Sequence, residues 1–278
     1  KQSMKDPVKI LFITQEITPY LPENELATIC RELPQYVQEQ GCEIRIFMPC
    51  YGHINERRNQ LHEVQRLSGM NLIIDDCDHP LIIKVASIQS ARMQVYFIDN
   101  DDYFRRRGIA ADDQNNEYED NDDRAVFYAR GVLETIKKLR WTPDIIHCHG
   151  WMTALAPLYI KKAYNEDPFF SKSKIVYSVY ADGFNGSFRD GFTNRVITEG
   201  VSVEDMKAVD KKEVSFVDLS KLAIDFSDAV VAASPQINPE VEAYARQKDV
   251  VYAPYSEDYK ANYTKLYASV FPGFGEDI

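Results

Sequence analysis

Apolar positions along this chain come in short continuous runs, separated by stretches with a period near 3.6. Residues 8–15 (VKILFITQ) are almost unbroken and rich in branched side chains, the pattern of a strand buried on both faces. From Asn24 the spacing changes. Leu26, Ile29, Cys30, Leu33 and Val37 fall at i, i+3, i+4, i+7 and i+11, which predicts a helix with one apolar stripe. Gly41 follows as a C-terminal cap, and residues 43–48 (EIRIFM) read as the next strand. The unit is β-α-β, so its two strands should be parallel and joined by a right-handed crossover.

Three β-like runs follow without helices between them, at 72–75, 81–88 and 93–98, and suggest a hairpin-type excursion from the parallel sheet. A helical pattern then covers 124–140. Alternation resumes with strands at 144–149, 174–179, 229–232 and 250–253, and helices at 152–163, 215–226 and 239–246; a loop with three glycines spans 181–198. Strands alternating with helices of this length predict a Rossmann-like α/β fold, a doubly wound parallel sheet. No low-complexity linker or repeat interrupts it, so residues 8–255 are expected to be a single domain and 256–278 a C-terminal tail.

Charge narrows the partners. With 43 acidic and 32 basic residues the net charge is −11, which argues against nucleic acid and against an anionic membrane surface. A polyphosphate would need a local basic site, whereas a neutral carbohydrate carries no penalty. No apolar run approaches the ~18 residues of a membrane span. Residues 1–5 lack the apolar core of a signal peptide, and the five cysteines include no Cys-x-x-Cys pair. A reduced, cytoplasmic protein without a cofactor is the expectation.

Two stretches carry candidate chemistry. Residues 112–123 (DDQNNEYEDNDD) hold seven carboxylates and no base. They read as a solvated acidic loop, the spacing not being that of an EF-hand. Residues 144–162 (DIIHCHGWMTALAPLYIKK) read as a buried strand ending in His147-Cys148-His149 and leading into a helix. His147 and His149 share one strand face, and His149 lies at the carboxyl end, where ligands of open α/β sheets bind. A metal would need further ligands that no neighbouring spacing supplies, and nothing marks Cys148 as an activated thiolate. A site histidine and a structural histidine both remain open.

"HCHGWMTALAPLYIKK" resembles the His-Ala-His-Asp-Trp-x-x-(Ala/Gly)-Leu-x-Pro segment of bacterial glycogen synthases and plant starch synthases, glycosyltransferase family 5. "KILFITQEITPY", "ELPQYVQEQGCEIRIFMPCYG", "YEDNDDRAVFYARGVLE" and "VSFVDLSKLAIDFSDAVVAASPQINPEV" are similar to four further segments of that family, in the family's order, so the likeness covers residues 8 to about 242. It implies the N-terminal domain of a GT-B glycosyltransferase, which transfers glucose from ADP-glucose to the 4-OH of an α-1,4-glucan with no metal in the chemistry. The partners implied are α-glucan, ADP-glucose and a separate C-terminal GT-B half. By the same resemblance His149 is the candidate catalytic residue, touching donor glucose, and Asp120, Asn121, Trp151 and Tyr180 are candidate substrate-binding positions. Each has a bland alternative as a cap or packing residue.

The departures are as informative as the matches. The family's Lys-Thr-Gly-Gly-Leu loop aligns with Pro22-Glu23-Asn24-Glu25-Leu26, so a lysine is replaced by Pro22 and two glycines by Asn24 and Glu25. The change removes a cation and close backbone approach and adds a carboxylate. At ~4 Å and an effective dielectric near 20, one like-charge contact costs about 4 kcal/mol. Gly150 stands in place of the family's Asp, and Tyr180-Ala181 in place of His-Asn. The alternative expectation is therefore a non-catalytic glucan-binding or regulatory module with a degenerate donor loop at Pro22, Asn24 and Glu25.

Overall fold

The computed structural model describes residues 5–275. The first unit forms as the periodicity predicts: β1 (Lys9–Thr14), α1 (Glu25–Glu39) and β2 (Glu43–Pro49), with β1 and β2 parallel and Phe12 opposite Ile46. The chain then passes through β3 (His62–Glu63), β4 (Asn71–Ile74), β5 (Cys77–Pro80), β6 (Ile82–Ile88) and β7 (Met93–Asp99). Of these, β4 and β5 pair as a separate hairpin. β7 continues the parallel sheet beside β2, and β6 and β3 extend it antiparallel, the excursion the sequence suggests.

After α2 (Asn121–Leu139) the chain crosses to the other side of β1. There β8 (Ile145–His149), β9 (Lys174–Val179), β10 (Ala229–Ala232) and β11 (Val251–Ala253) complete a nine-stranded sheet among the described residues, in the order β11-β10-β9-β8-β1-β2-β7-β6-β3. The connections are α3 (Ala156–Leu158), α4 (Phe192–Val196), α5 (Phe216–Asp225) and α6 (Pro239–Gln247). The expected single helix over 152–163 is instead a 3₁₀ turn, the short α3 and a π turn over Tyr159–Ala163. Pro157 has no N–H to donate, and the Tyr164 N–H reaches back five residues to the Tyr159 carbonyl.

The helices divide into two layers. α2, α3, α5 and α6 pack successively on one face of the sheet, and α1 lies on the other. There it meets α7 (Tyr259–Val270), which forms within the segment expected to be a tail and buries Tyr263, Leu266 and Tyr267. Four of the five cysteines are buried and all are unpaired; only Cys77 is exposed. Among the described residues no helix is long and apolar enough to cross a membrane.

Candidate functional site at the carboxyl edge of the sheet

From β1 the strand order runs one way through β2 and the other way through β8. The switch point of the sheet therefore lies between the carboxyl ends of β1 and β8, where open α/β sheets form their binding crevice. At and just past those strand ends lie Gln15-Glu16 and His149-Gly150, with the Gln15 N–H donating to the His149 carbonyl at 3.1 Å.

The crevice is wired shut by the chain's own polar groups. Gln15 Oε1 accepts from the Met152 N–H at 3.2 Å, and Gln15 Nε2 donates to Glu16 at 3.2 Å. Asn24 Nδ2 donates to the other Glu16 oxygen at 2.8 Å, while Asn24 Oδ1 caps α1 by accepting from Ala27 N at 2.8 Å. Glu25 accepts from the Ser234 hydroxyl at 2.7 Å, and Ser234 Oγ accepts from Ala181 N at 2.8 Å. Pro22, Asn24 and Glu25 are exposed at this edge. Among the described residues neither Glu16 nor Glu25 has an ion-pair partner. Gly150 adopts φ +91°, and a Cβ there would stand 2.7 Å from Gln15 Oε1. Gly41 also has a positive φ, +100°, but open space around its Cβ position. Gly150→Ala is expected to lose about 1–3 kcal/mol of stability to backbone strain, and more than Gly41→Ala because of the Gln15 clash. Equal losses in urea unfolding would remove Gln15 from this account.

The five expected site residues do not form one constellation. His149 is fully buried, with Nδ1 2.8 Å from the Tyr180 hydroxyl; Nε2 is buried without a hydrogen-bond partner. Beside it, His147 Nδ1 lies 2.5 Å from the Tyr267 hydroxyl, and its Nε2 lies 2.7 Å from Ser178 Oγ. Ser178 Oγ in turn sits 2.7 Å from the Tyr263 hydroxyl. Burial holds His149 near a pKa of about 3, and burial with the neighbouring imidazole pushes His147 down as well. Tyr180 and the α7 tyrosines thus seal the histidine pair. Any contact between His149 and a sugar would require one of them to move.

Trp151 lies at the carboxyl end of β8 among Phe184 and Phe188, its ring 5.0 Å from that of Phe184. Asp120 forms a two-pronged ion pair with Arg106. Asn121 is buried; it donates to the Ala110 carbonyl and accepts from Arg124. The acidic run is the solvated loop expected of it only in part: Asp112, Asp113 and Glu119 are exposed, whereas the other four carboxylates are engaged. Asp122 has no exposed surface and receives Arg189 Nη2 and Arg195 Nη2, each at 2.6 Å, while Asp123 takes a further bond from Arg189 at 2.8 Å. Glu117 accepts from the N–H groups of Asn185 and Gly186. These carboxylates pin down the glycine-rich loop after β9. Among the described residues no group of three or more His, Cys, Asp or Glu side chains is placed to hold a metal.

A family profile described as the starch synthase catalytic domain matches residues 9–251. The chain belongs to that family. It is 40% identical over 173 residues to a glycogen synthase of Chlorobium limicola, a match covering 62% of this chain and 35% of the relative. It is also 33% identical over 241 residues to a glycogen synthase of Chlorobaculum parvum, covering 86% and 47%. In fold it is similar to the catalytic domain of starch synthase IV from Arabidopsis thaliana, solved with ADP and acarbose, with a TM-score of 0.67 at 20% identity over 83% of this chain and 45% of that one. The chain thus spans less than half the length of these starch and glycogen synthases. Sequence reasoning missed Gln15 and Glu16, which tie Asn24 to the Met152 N–H, and the cations Arg189 and Arg195. Seven carboxylates without a base were a signal that distant arginines had to serve them.

Proposed function

We propose that this starch synthase-family chain is a glucan-binding module that does not hold a sugar nucleotide. One observation carries the reading. At the switch point, where a diphosphate would need backbone donors and a cation, the Met152 N–H is already held by Gln15, the Gln15 and Asn24 amides both donate to the Glu16 carboxylate, and Glu25 is bonded to Ser234. A diphosphate brought there meets carboxylates without counter-ions, in a chain whose net charge is already −11. His149 then serves as an anchor for Tyr180 and the α7 tyrosines instead of a contact to donor glucose.

Calorimetric titration of the chain with ADP-glucose and with maltotriose tests this. Maltotriose binding without ADP-glucose binding is expected. Donor binding with a Kd near 1 μM, worth about 8 kcal/mol, would instead support glucosyl transfer in partnership with a C-terminal GT-B half, the rival that the likeness to whole glycogen synthases favours.

A further inference from the structure

The residues that stand in for the family's loop repel a diphosphate, and by the same charge they favour a cation. Glu23, Asn24, Glu25 and Thr28 form one wall of a cavity of about 390 Å³ between α1, the end of β10 and the segment leading into α7. The facing wall carries Tyr255, Ser256, Glu257, Tyr259, Asn262 and Tyr263. We infer that this cavity binds a small organic polycation, an aliphatic polyamine whose ammonium groups meet the carboxylates and whose methylenes lie on the tyrosine rings.

Charge decides the class. The carboxylates of Glu23, Glu25 and Glu257 line the space, none with an ion-pair partner among the described residues, and no lysine or arginine lines it. Lys260 stands outside, its ammonium 5.6 Å from the centre of the Tyr36 ring and 6.0 Å from that of Tyr259. Three like charges around one cavity repel one another until a cation enters, and a ligand with several positive charges gains from all three. The remaining polar groups accept ammonium donors. One Glu25 oxygen takes the Ser234 hydroxyl and leaves the other free. Asn24 is spent on Glu16 and on the α1 cap, while Asn262 Nδ2 donates to the Pro254 carbonyl and leaves its Oδ1 as an acceptor. Ser256 directs its hydroxyl to the Asp258 carbonyl, and the Thr28 and Tyr255 hydroxyls can accept as well as donate. Those hydroxyls would serve a neutral ligand equally; the three uncompensated carboxylates would not. The aromatic wall is an independent second mark. Tyr263 directs its hydroxyl to Ser178 and Tyr259 its own to Glu32, so both offer ring surface, and Tyr255 is 37% exposed at the rim. Ring faces attract alkylammonium ions through their quadrupole. The volume suits a small molecule.

Calorimetric titration of the whole chain with spermidine at low ionic strength tests this, with three substitutions at exposed residues: Glu257→Gln, Tyr255→Ala and, in the acidic run, Asp113→Asn. One spermidine per chain is expected. Its affinity should fall roughly tenfold in Glu257→Gln and in Tyr255→Ala, and stay unchanged in Asp113→Asn. Added salt should weaken it as well, because the carboxylates are exposed. Without ligand all four proteins should melt at the same temperature. Absence of spermidine binding overturns the site. So does an equal loss in Asp113→Asn, which would mark attraction to the net charge of −11 and no particular cavity. Tetralysine binding that is tighter, and lost in the same two cavity variants, assigns the space to a basic protein segment and overturns the polyamine.

Discussion

On acidification from pH 6.5 to about 4.5, the chain is expected to lose stability through two buried histidines, His149 alone approaching about 1.4 kcal/mol per pH unit and His147 adding to the loss in the same direction. The sign follows from which state takes up the proton. Unfolded, an imidazole protonates near pH 6.5; folded, His149 does so only near pH 3, and His147 is depressed as well. Between those values the unfolded chain binds more protons, so stability is complete above pH 6.5 and drains away as pH falls toward the folded value. No counter-ion relieves this. The groups facing the pair are Phe12 from β1, Ser178 from β9 and Tyr180 just after it, Tyr263 and Tyr267 from α7, and each other's ring. Burial pushes the tyrosine hydroxyls upward, so they stay neutral.

Over two pH units His149 alone amounts to about 2–3 kcal/mol, a sizeable share of the stability of a modest domain. His53 is depressed in the same direction, but its exposure makes its contribution small. Urea midpoints measured every half unit from pH 7.5 to 4.5 check the expectation, and His149→Gln should make the slope shallower. A midpoint that stays level from pH 6.5 to 5 would show that the imidazoles are hydrated.

Asp122→Asn should be the most damaging single substitution in the acidic run. The Asp122 carboxylate has no exposed surface and holds Arg189 and Arg195 at once, and Arg195 is itself only 10% exposed. Losing one partner of a buried ion pair costs about 3–5 kcal/mol, because the other charge stays desolvated. Arg189 is nearly half exposed and Asp123 remains to share the load, so the low end applies. For a chain of this size a loss of about 3 kcal/mol lowers the melting temperature by roughly 6–12 °C. The loop carrying Arg189 should become susceptible to proteolysis in step. Asp112→Asn, at an exposed position in the same run, is the control and should leave the melting curve unchanged. A drop below about 2 °C for Asp122→Asn would mean that water replaces the carboxylate at little cost.

The sheet and most of its helices were legible because each depends on a local pattern. The strand at residues 174–179 is bounded in the structure as the apolar run predicts, and Asn24 opens a helix in both. What escaped depends on distant partners. β3 and β5 are short and polar, and exist because β6 and β4 offer them edges. α7 buries only Tyr263, Leu266 and Tyr267, too few positions to stand out from a tyrosine-rich tail. The acidic run reads as solvated until Arg189 and Arg195, 66 to 73 residues away, are folded onto it. At the candidate site, sequence gave His149 and Tyr180 as separate residues. Their contact, and the closure of the switch point by Gln15, come from strand register.

The pairing of α1 with α7 has a consequence for biosynthesis. The first β-α-β unit leaves the ribosome early, yet the layer that covers its face includes residues 259–270, made more than two hundred residues later. Until then the imidazoles of β8 and the hydroxyls of β9 face solvent or improvised partners. Contacts of such sequence separation slow folding, and a nascent chain cannot finish this layer before residues 259–270 are made. The protein should therefore pass through a long, half-covered stage on which chaperones act. Tyr263 and Tyr267 would be the residues that bring that stage to a close.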